Sequence, residues 1–134
     1  MNLQLVPHTH IDQVWPTVAP MLDRAVETGH GEVTIDQIRM RIVNKEVHLI
    51  VFLDAEIIKG ATTVEFQSYP NKRIALGGVF GGSGVCTVEH FESIKQWCRE
   101  MGASEFRTYA GEAQARLYKR IGMDKLYNVV GVAL

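Results

Sequence analysis

The sequence is poor in several residue types and patterns, and each shortage excludes a class of protein. Cys86 and Cys98 are the only two cysteines among 134 residues, and without CxxC spacing they suit a reducing compartment. The net charge is −1 with no long run of one sign, so bulk charge indicates neither nucleic acid nor an anionic membrane as a partner. No apolar run approaches the roughly 20 residues of a membrane-spanning helix, and the N-terminus lacks a signal-peptide pattern. We therefore expect a cytoplasmic protein.

The composition is that of an ordinary globular domain. Hydrophobic residues make up 46% of the chain and charged residues 22%, and the length suits one domain over residues 1–134. Among the five histidines, only His8 and His10 are spaced as metal ligands can be, and a pair near a terminus is more typical of the surface. No metal site is predicted.

Apolar periodicity and turn residues predict the order β-α-α-β-β-β-α-β-α-β. Residues 9–28 are helical in pattern, with Pro16 and Pro20 dividing them into two short helices. Thr34 and Gln37 form a capping box that begins the next helix. The runs EVHLIVFL, IIKGATTVEFQSY and RIALGGVF are strands joined by turns short enough for antiparallel hairpins. The fold class is α/β, or α+β by stricter criteria, with a mixed, mostly antiparallel sheet flanked by helices.

The last part of the chain predicts a helix, a strand, a second helix and a closing strand. The helix after residue 87 ends at Gly102, a plausible C′ residue, and SEFRTYA is the strand that follows. In GEAQARLYKRIG the predicted inner stripe is Ala113, Leu117 and Ile121. KLYNVVGVAL is predicted to close the sheet as a strand.

The stretch GGVFGGSGVCTVEHF, residues 77–91, has five glycines in its first eight positions. A P-loop is excluded because Val85 and Cys86, rather than Lys and Ser or Thr, follow Gly84. A dinucleotide fingerprint beginning at Gly82 is excluded because Thr87 stands where a glycine is needed. Two interpretations remain. The N–H groups of the turn and of the next helix could bind an anion, or the glycines could form a plain connector with a strand bulge.

A resemblance to a known family covers residues 33–134. AQARLYKRIGM, residues 113–123, resembles the motif A-x-x-L-Y-x-K-L-G-F that ends the coenzyme A site of GCN5-related N-acetyltransferases. LDAEIIKG is similar to the family's hairpin before its glycine, RIALGGVF to its fourth strand, and WCREMGA to the end of its third helix. The N-terminal part is closer to a phage-associated branch that includes internal virion protein A-like acetyltransferases of podoviruses.

The resemblance implies an acyl-CoA acyltransferase fold with acetyl-CoA as co-substrate. In the family, the pantetheine arm lies against strand four where strands four and five splay apart, which would put Val79 and Phe80 beside it. The pyrophosphate binds the N–H groups of a Q/R-x-x-G-x-G/A turn. Here that turn corresponds to Gly81, Gly82, Ser83, Gly84, Val85 and Cys86. Tyr118 matches the family tyrosine that often protonates the departing thiolate, although it could also be a boundary aromatic with a hydrated hydroxyl.

The sequence also departs from the family pattern. Gly81 stands where the family has Gln or Arg, and Cys86 where it has Gly or Ala. Strand four carries no catalytic acid, and Glu65 on the neighbouring strand is the candidate base, with an exposed structural carboxylate as the alternative. Cys86 is interpreted as a packed thiol rather than a nucleophile. A basic cluster surrounds the last predicted helix and is either a solvated face or a contact for the adenosine 3′-phosphate. Its members are Arg116, Lys119, Arg120 and Lys125.

Three functions follow as hypotheses. The first is acetyl-CoA-dependent N-acyl transfer, directly to an unknown amine acceptor that is a small molecule or a protein. The second is a catalytically degenerate phage protein with a virion-structural or host-interaction role, located in the host cytoplasm or the virion and contacting virion or host proteins. The third is a domain for another phosphorylated ligand. Dimers are common in the superfamily, so a homodimer stays open.

Overall fold

The computed structural model describes residues 2–82 and 87–134. Ser83, Gly84, Val85 and Cys86, four of the predicted cofactor residues, therefore lie outside the described part of the chain. The elements are β1 Asn2–Leu5, a 3-10 turn His8–His10, α1 Ile11–Val26, α2 Ile35–Val43, β2 His48–Asp54, β3 Ile57–Ser68, β4 Arg73–Gly82, α3 Val88–Glu100, β5 Glu105–Thr108 and α4 Glu112–Lys119.

The five strands form one sheet in the order β1-β2-β3-β4-β5. Neighbouring strands run antiparallel up to β4, whereas β4 and β5 run parallel. The connection between β4 and β5 contains α3, as a parallel crossover requires. The prediction of a mixed, mostly antiparallel sheet flanked by helices is confirmed.

Two apolar clusters lie on opposite faces of the sheet because side chains alternate along each strand. Leu49 and Val51 of β2 pack with residues of α1 and α2. Ile50 and Phe52, the alternate residues of the same strand, pack with residues of α3. Strand β2 is thus buried on both sides, which its uninterrupted apolar run indicates.

Helix α1 is continuous, so the prediction that its prolines divide it is wrong. Pro16 and Pro20 both lie inside the helix and both are exposed. They are four residues apart and share the solvent face, where water can satisfy the carbonyl groups that lose their helical donors. Val18 and Leu22 are fully buried on the other face and hold the helix against the sheet.

The predicted capping box at the start of α2 is confirmed, and α3 begins with a second capping box that was not predicted. The Gln37 N–H donates to Thr34 Oγ1, and the Thr34 N–H donates to Gln37 Oε1. Thr87 and His90 form the same reciprocal pair before α3. Gly102 follows α3 with a φ of 89°, a left-handed conformation that suits glycine after a helix.

The end of the chain differs most from its prediction. Helix α4 has no buried residue; Ala113 and Leu117 of the predicted inner stripe are exposed, and Ile121 is half-buried. Residues 123–134 adopt no regular secondary structure, so the predicted closing strand is wrong for this chain. A strand exists only where a partner supplies hydrogen bonds, and no described strand pairs with these residues.

Candidate active site at the splay of two strands

Strands β4 and β5 separate part-way along β4. Their parallel pairing runs from Ile74 opposite Glu105 to Gly77 opposite Thr108, and Thr108 Oγ1 donates to the Gly77 carbonyl at 3.0 Å. β4 then continues to Gly82 while β5 ends. This leaves residues 78–82 of β4 with a strand neighbour on the β3 side only. We call this open edge the β4 notch.

A β-bulge lies at the start of the β4 notch. Between the pairs Val64–Gly77 and Thr62–Phe80, two residues of β4 oppose the single residue Thr63 of β3. A bulge of this kind bends the strand and changes the direction of its backbone groups. The sequence interpretation of Gly77 and Gly78 as a strand bulge is therefore confirmed.

Two threonine side chains hold the bulge, and we call this pair the threonine clamp. Thr62 Oγ1 donates to the Val79 carbonyl at 2.9 Å, and the Val79 N–H donates to Thr63 Oγ1 at 3.1 Å. Both threonines are buried. Because successive residues of a strand direct their N–H and C=O groups to opposite sides, the backbone of Phe80 is directed to the β4 notch.

The threonine clamp was missed in the sequence analysis. Its signal is Thr62-Thr63 at the centre of the otherwise apolar run GATTVEF, opposite a strand containing Gly77-Gly78. Consecutive threonines put one hydroxyl on each face of a strand, so at least one must be buried when both faces are covered. A buried hydroxyl needs a partner, and a bulge supplies one.

Packing explains two of the glycines. A Cβ atom on Gly78 would lie 2.4 Å from Thr63 Oγ1, and one on Gly81 would lie 2.3 Å from the Met21 carbonyl oxygen of α1. Gly81 thus lets the backbone of α1 lie directly on β4. Gly78 and Gly81 are therefore needed for the fold itself, independently of any ligand.

The N-terminus of α3 lies close to the β4 notch. The ring of Phe52, which is fully buried, contacts Phe80 at 5.6 Å and His90 at 5.5 Å between ring centroids. His90 belongs to the first turn of α3, and Thr87 is its N-cap. The positive end of a 13-residue helix is therefore held beside Phe80, an arrangement suited to an anion.

Tyr118 belongs to α4, which begins at Glu112, four residues after β5 ends at Thr108. The start of α4 therefore lies at the end of the sheet where the β4 notch opens. Tyr118 is half-buried, and its carbonyl accepts hydrogen bonds from the Ile121 and Met123 N–H groups. Its proposed role towards a thiolate stays a prediction.

Glu65 has a close structural partner. Arg41 Nη2 lies 2.7 Å from Glu65 Oε2, and Arg41 Nε lies 3.2 Å from Glu46 Oε2. The hydrogen bond that Arg41 donates to Glu65 is the main reason that the pKa of Arg41 is raised. Val64 and Phe66 pack in the α3-side cluster, so Glu65 projects from the opposite face. Its role as a base stays a prediction.

The part of the chain that the structure describes contains neither a cluster of metal-ligating side chains nor a membrane-spanning helix. Within residues 2–82 and 87–134, no group of three or more His, Cys, Asp or Glu side chains is arranged to hold a metal ion. Over the same ranges, no helix is both long and apolar enough to cross a membrane.

Solved structures with the same architecture include acetyltransferases. A probable acetyltransferase matches with a TM-score of 0.71 and 17% identity, over 100% of this chain and 97% of that chain. This chain has the GCN5-related acetyltransferase fold. The acetyltransferase fold is also shared with the aminoglycoside acetyltransferase meta-AAC0020 from an uncultured soil metagenomic sample, in complex with sisomicin (TM-score 0.73, 12% identity, 99% of this chain and 94% of that chain).

A third match is the aminoglycoside N-acetyltransferase AAC(6')-Iy in complex with CoA (TM-score 0.73, 10% identity, 99% of this chain and 93% of that chain). At these identities the likeness shows the fold, which confirms the resemblance at that level; the phage-associated branch stays a prediction. No protein-family model and no curated protein matches the sequence.

Proposed function

We propose that the protein transfers an acetyl group from acetyl-CoA to an amine. The observation that carries this proposal is the β4 notch: an open strand edge, set by a clamped bulge, beside the N-terminus of α3. Acetyltransferases with this fold, one of them in complex with CoA, support the choice of ligand. The alternative, a degenerate virion or host-interaction domain, rests on the departures in the phosphate turn and is an outcome of the tests below.

The residues at the β4 notch match the two parts of the coenzyme. The pantetheine arm contains amides that can pair with a strand edge, and the Phe80 backbone directed to the β4 notch offers one donor and one acceptor. The pyrophosphate needs N–H donors and a positive field, which the start of α3 provides. Gly81, Gly82 and residues 83–86 are proposed to contact the coenzyme around its phosphates.

The proposed chemistry is direct transfer. The neutral amine nitrogen attacks the thioester carbonyl carbon, the new C–N bond forms, and the C–S bond breaks. Tyr118 gives its hydroxyl proton to the thiolate leaving group, and the proton lost by the amine passes to solvent and restores the tyrosine. Direct transfer depends mainly on holding the two reactants together. Glu65, paired with Arg41, is not required as a base in this scheme.

The acceptor is proposed as an amine because two matching structures are aminoglycoside acetyltransferases. The test is an assay of free thiol release from acetyl-CoA with a panel of amines: an aminoglycoside, a polyamine and a lysine peptide. With an amine that reacts, Tyr118→Phe should lower kcat by about a hundredfold and leave coenzyme affinity unchanged. Tyr69→Phe, which changes an exposed tyrosine just after β3, is the matched control and should retain kcat. Equal turnover of the wild type and Tyr118→Phe would show that Tyr118 is not the acid.

A further inference from the structure

The sheet has a second bulge, which lies in β3 at Lys59. Phe52 of β2 pairs with Gly60. The next residue of β2, Leu53, pairs with Ile58 rather than with Lys59. Lys59 is therefore an extra residue of β3 without a partner on β2. Bulges are frequent next to functional sites, where they change the direction of a side chain, and here that side chain carries a positive charge.

Lys59 lies at the corner of the sheet where β4 ends. A Cβ atom on Gly82, the last residue of β4, would lie 2.5 Å from the Lys59 carbonyl oxygen. Ile58 packs in the cluster on the α1 side of the sheet, so alternation along the strand directs the exposed Lys59 side chain to the α3 side. On that side Phe52 contacts His90 of the first turn of α3. The Lys59 ammonium group and the positive end of α3 therefore face the same corner.

Lys59 is the only basic residue other than histidine that these elements contribute. Residues 46–71 contain one Lys or Arg, which is Lys59, and residues 74–94 contain none. The positive charge beside the end of β4 therefore comes from one side chain and from the dipole of α3. Removing that side chain changes the charge of this corner without touching another cation of the strands.

The charge of Lys59 is not balanced within the described part of the chain. Over residues 2–82 and 87–134, Lys59 forms no ion pair with the acidic residues of the adjoining turn and of α3, Asp54, Glu56 and Glu89. By contrast, Lys72 at the other end of the β3–β4 hairpin pairs with Glu105 at 3.4 Å. An unpaired ammonium group beside the N-terminus of a helix attracts an anion, because both contribute positive potential.

We propose that the Lys59 ammonium group binds the diphosphate of the coenzyme, together with the N–H groups at the start of α3. This rests on the proposed function and adds the residue that supplies the charge. A diphosphate carries more negative charge than the roughly half elementary charge of a helix N-terminus can balance. Lysine is a common phosphate ligand that acts as a point charge. The other phosphate of the coenzyme, the 3′-phosphate, has the same chemistry, and the test separates the two.

The test is calorimetric titration of the full-length protein with CoA and with dephospho-CoA, which keeps the diphosphate and lacks the 3′-phosphate. Lys59→Met should raise the Kd for both ligands by about tenfold, because both lose the same contact. Lys59→Arg keeps the charge and should restore most of the affinity. Lys72→Met is the matched control, since it removes another exposed lysine of the same hairpin, and it should leave both Kd values unchanged.

The outcomes separate this proposal from the proposed function. If the wild type binds CoA and Lys59→Met binds both ligands equally well, the role of Lys59 is overturned and the proposed function stands. A loss confined to CoA would place Lys59 at the 3′-phosphate and overturn the diphosphate assignment, and an equal loss in Lys72→Met would show a general charge effect and overturn it too. No binding by the wild type would contradict the proposed function itself. Because Lys59 is exposed, the circular dichroism spectrum of Lys59→Met should match that of the wild type.

Discussion

The body of the protein, residues 2–108, and its C-terminal segment, residues 109–134, differ in how many of their hydrophobic residues are buried. In the body, residues such as Phe52 and Leu22 are fully buried in two clusters on either face of the sheet. In the C-terminal segment, α4 buries nothing and the valines after it are exposed. Both regions have apolar patterns typical of regular structure. The comparison shows that such a pattern gives a stable element only where another surface faces it.

The same comparison bears on function. The binding half of the proposed site lies in the body, where the threonine clamp and the Phe52 contacts hold β4 and α3 in place. Tyr118, the residue proposed to protonate the thiolate, lies in the C-terminal segment. We infer that coenzyme binding needs the body alone, whereas catalysis also needs Tyr118 of the C-terminal segment.

The largest expected effect is on the stability of the body. Phe52→Ala removes a fully buried ring that contacts Phe80 and His90, and it should lower the free energy of unfolding by about 3–5 kcal/mol. Leu117→Ala in α4 removes a side chain that is 56% exposed, and it should change that free energy by about 0.5 kcal/mol or less. Urea unfolding measures both. Equal losses would show that α4 is packed as firmly as the sheet.

A smaller effect is expected from pH, and it again belongs to the body. His48 packs between the rings of Phe66 and Trp97, and burial, followed by the charge of Arg73, lowers the pKa of His48 below its ordinary value of 6.5. Between the lowered and the ordinary pKa the unfolded chain binds more protons, so the free energy of unfolding falls as pH is lowered through that window.

His48→Phe should reduce this dependence. Its unfolding free energy, measured from about pH 7.5 to about pH 5.5, should fall less steeply than that of the wild type. His10→Phe replaces an exposed histidine and is the matched control. If His48→Phe keeps the full wild-type slope, His48 is not the group responsible. The C-terminal segment contains no histidine, so no histidine titration in that segment contributes to the pH dependence of stability.

Local signals in the sequence were sufficient for most of the body. The capping box at Thr34 and the bulge at Gly78 depend on residues within a few positions, or on one neighbouring strand. That α1 continues through Pro16 and Pro20 could not be predicted from local signals, because it depends on which face of the helix is exposed to solvent.

The candidate site was predicted in part. Val79 and Phe80 were expected on strand four beside a splay, and the structure places them at the β4 notch. Gly81 and Gly82 were expected in the phosphate turn, whereas the structure has them as the last residues of β4. Coenzyme binding by these residues stays a prediction. The threonine clamp was not expected, since it depends on the register between β3 and β4. The predicted closing strand is wrong because no described strand pairs with residues 125–134.

The most direct test of the account is calorimetric titration of the protein with acetyl-CoA and CoA, together with Thr63→Val and Thr63→Ser. The account predicts micromolar binding by the wild type. Binding should be about tenfold weaker in Thr63→Val, because valine lacks the acceptor for the Val79 N–H. Thr63→Ser keeps that acceptor and should bind nearly as tightly as the wild type. No heat at about millimolar coenzyme, at two temperatures, would contradict coenzyme binding at the β4 notch. The virion or host-interaction role would then be the hypothesis to pursue.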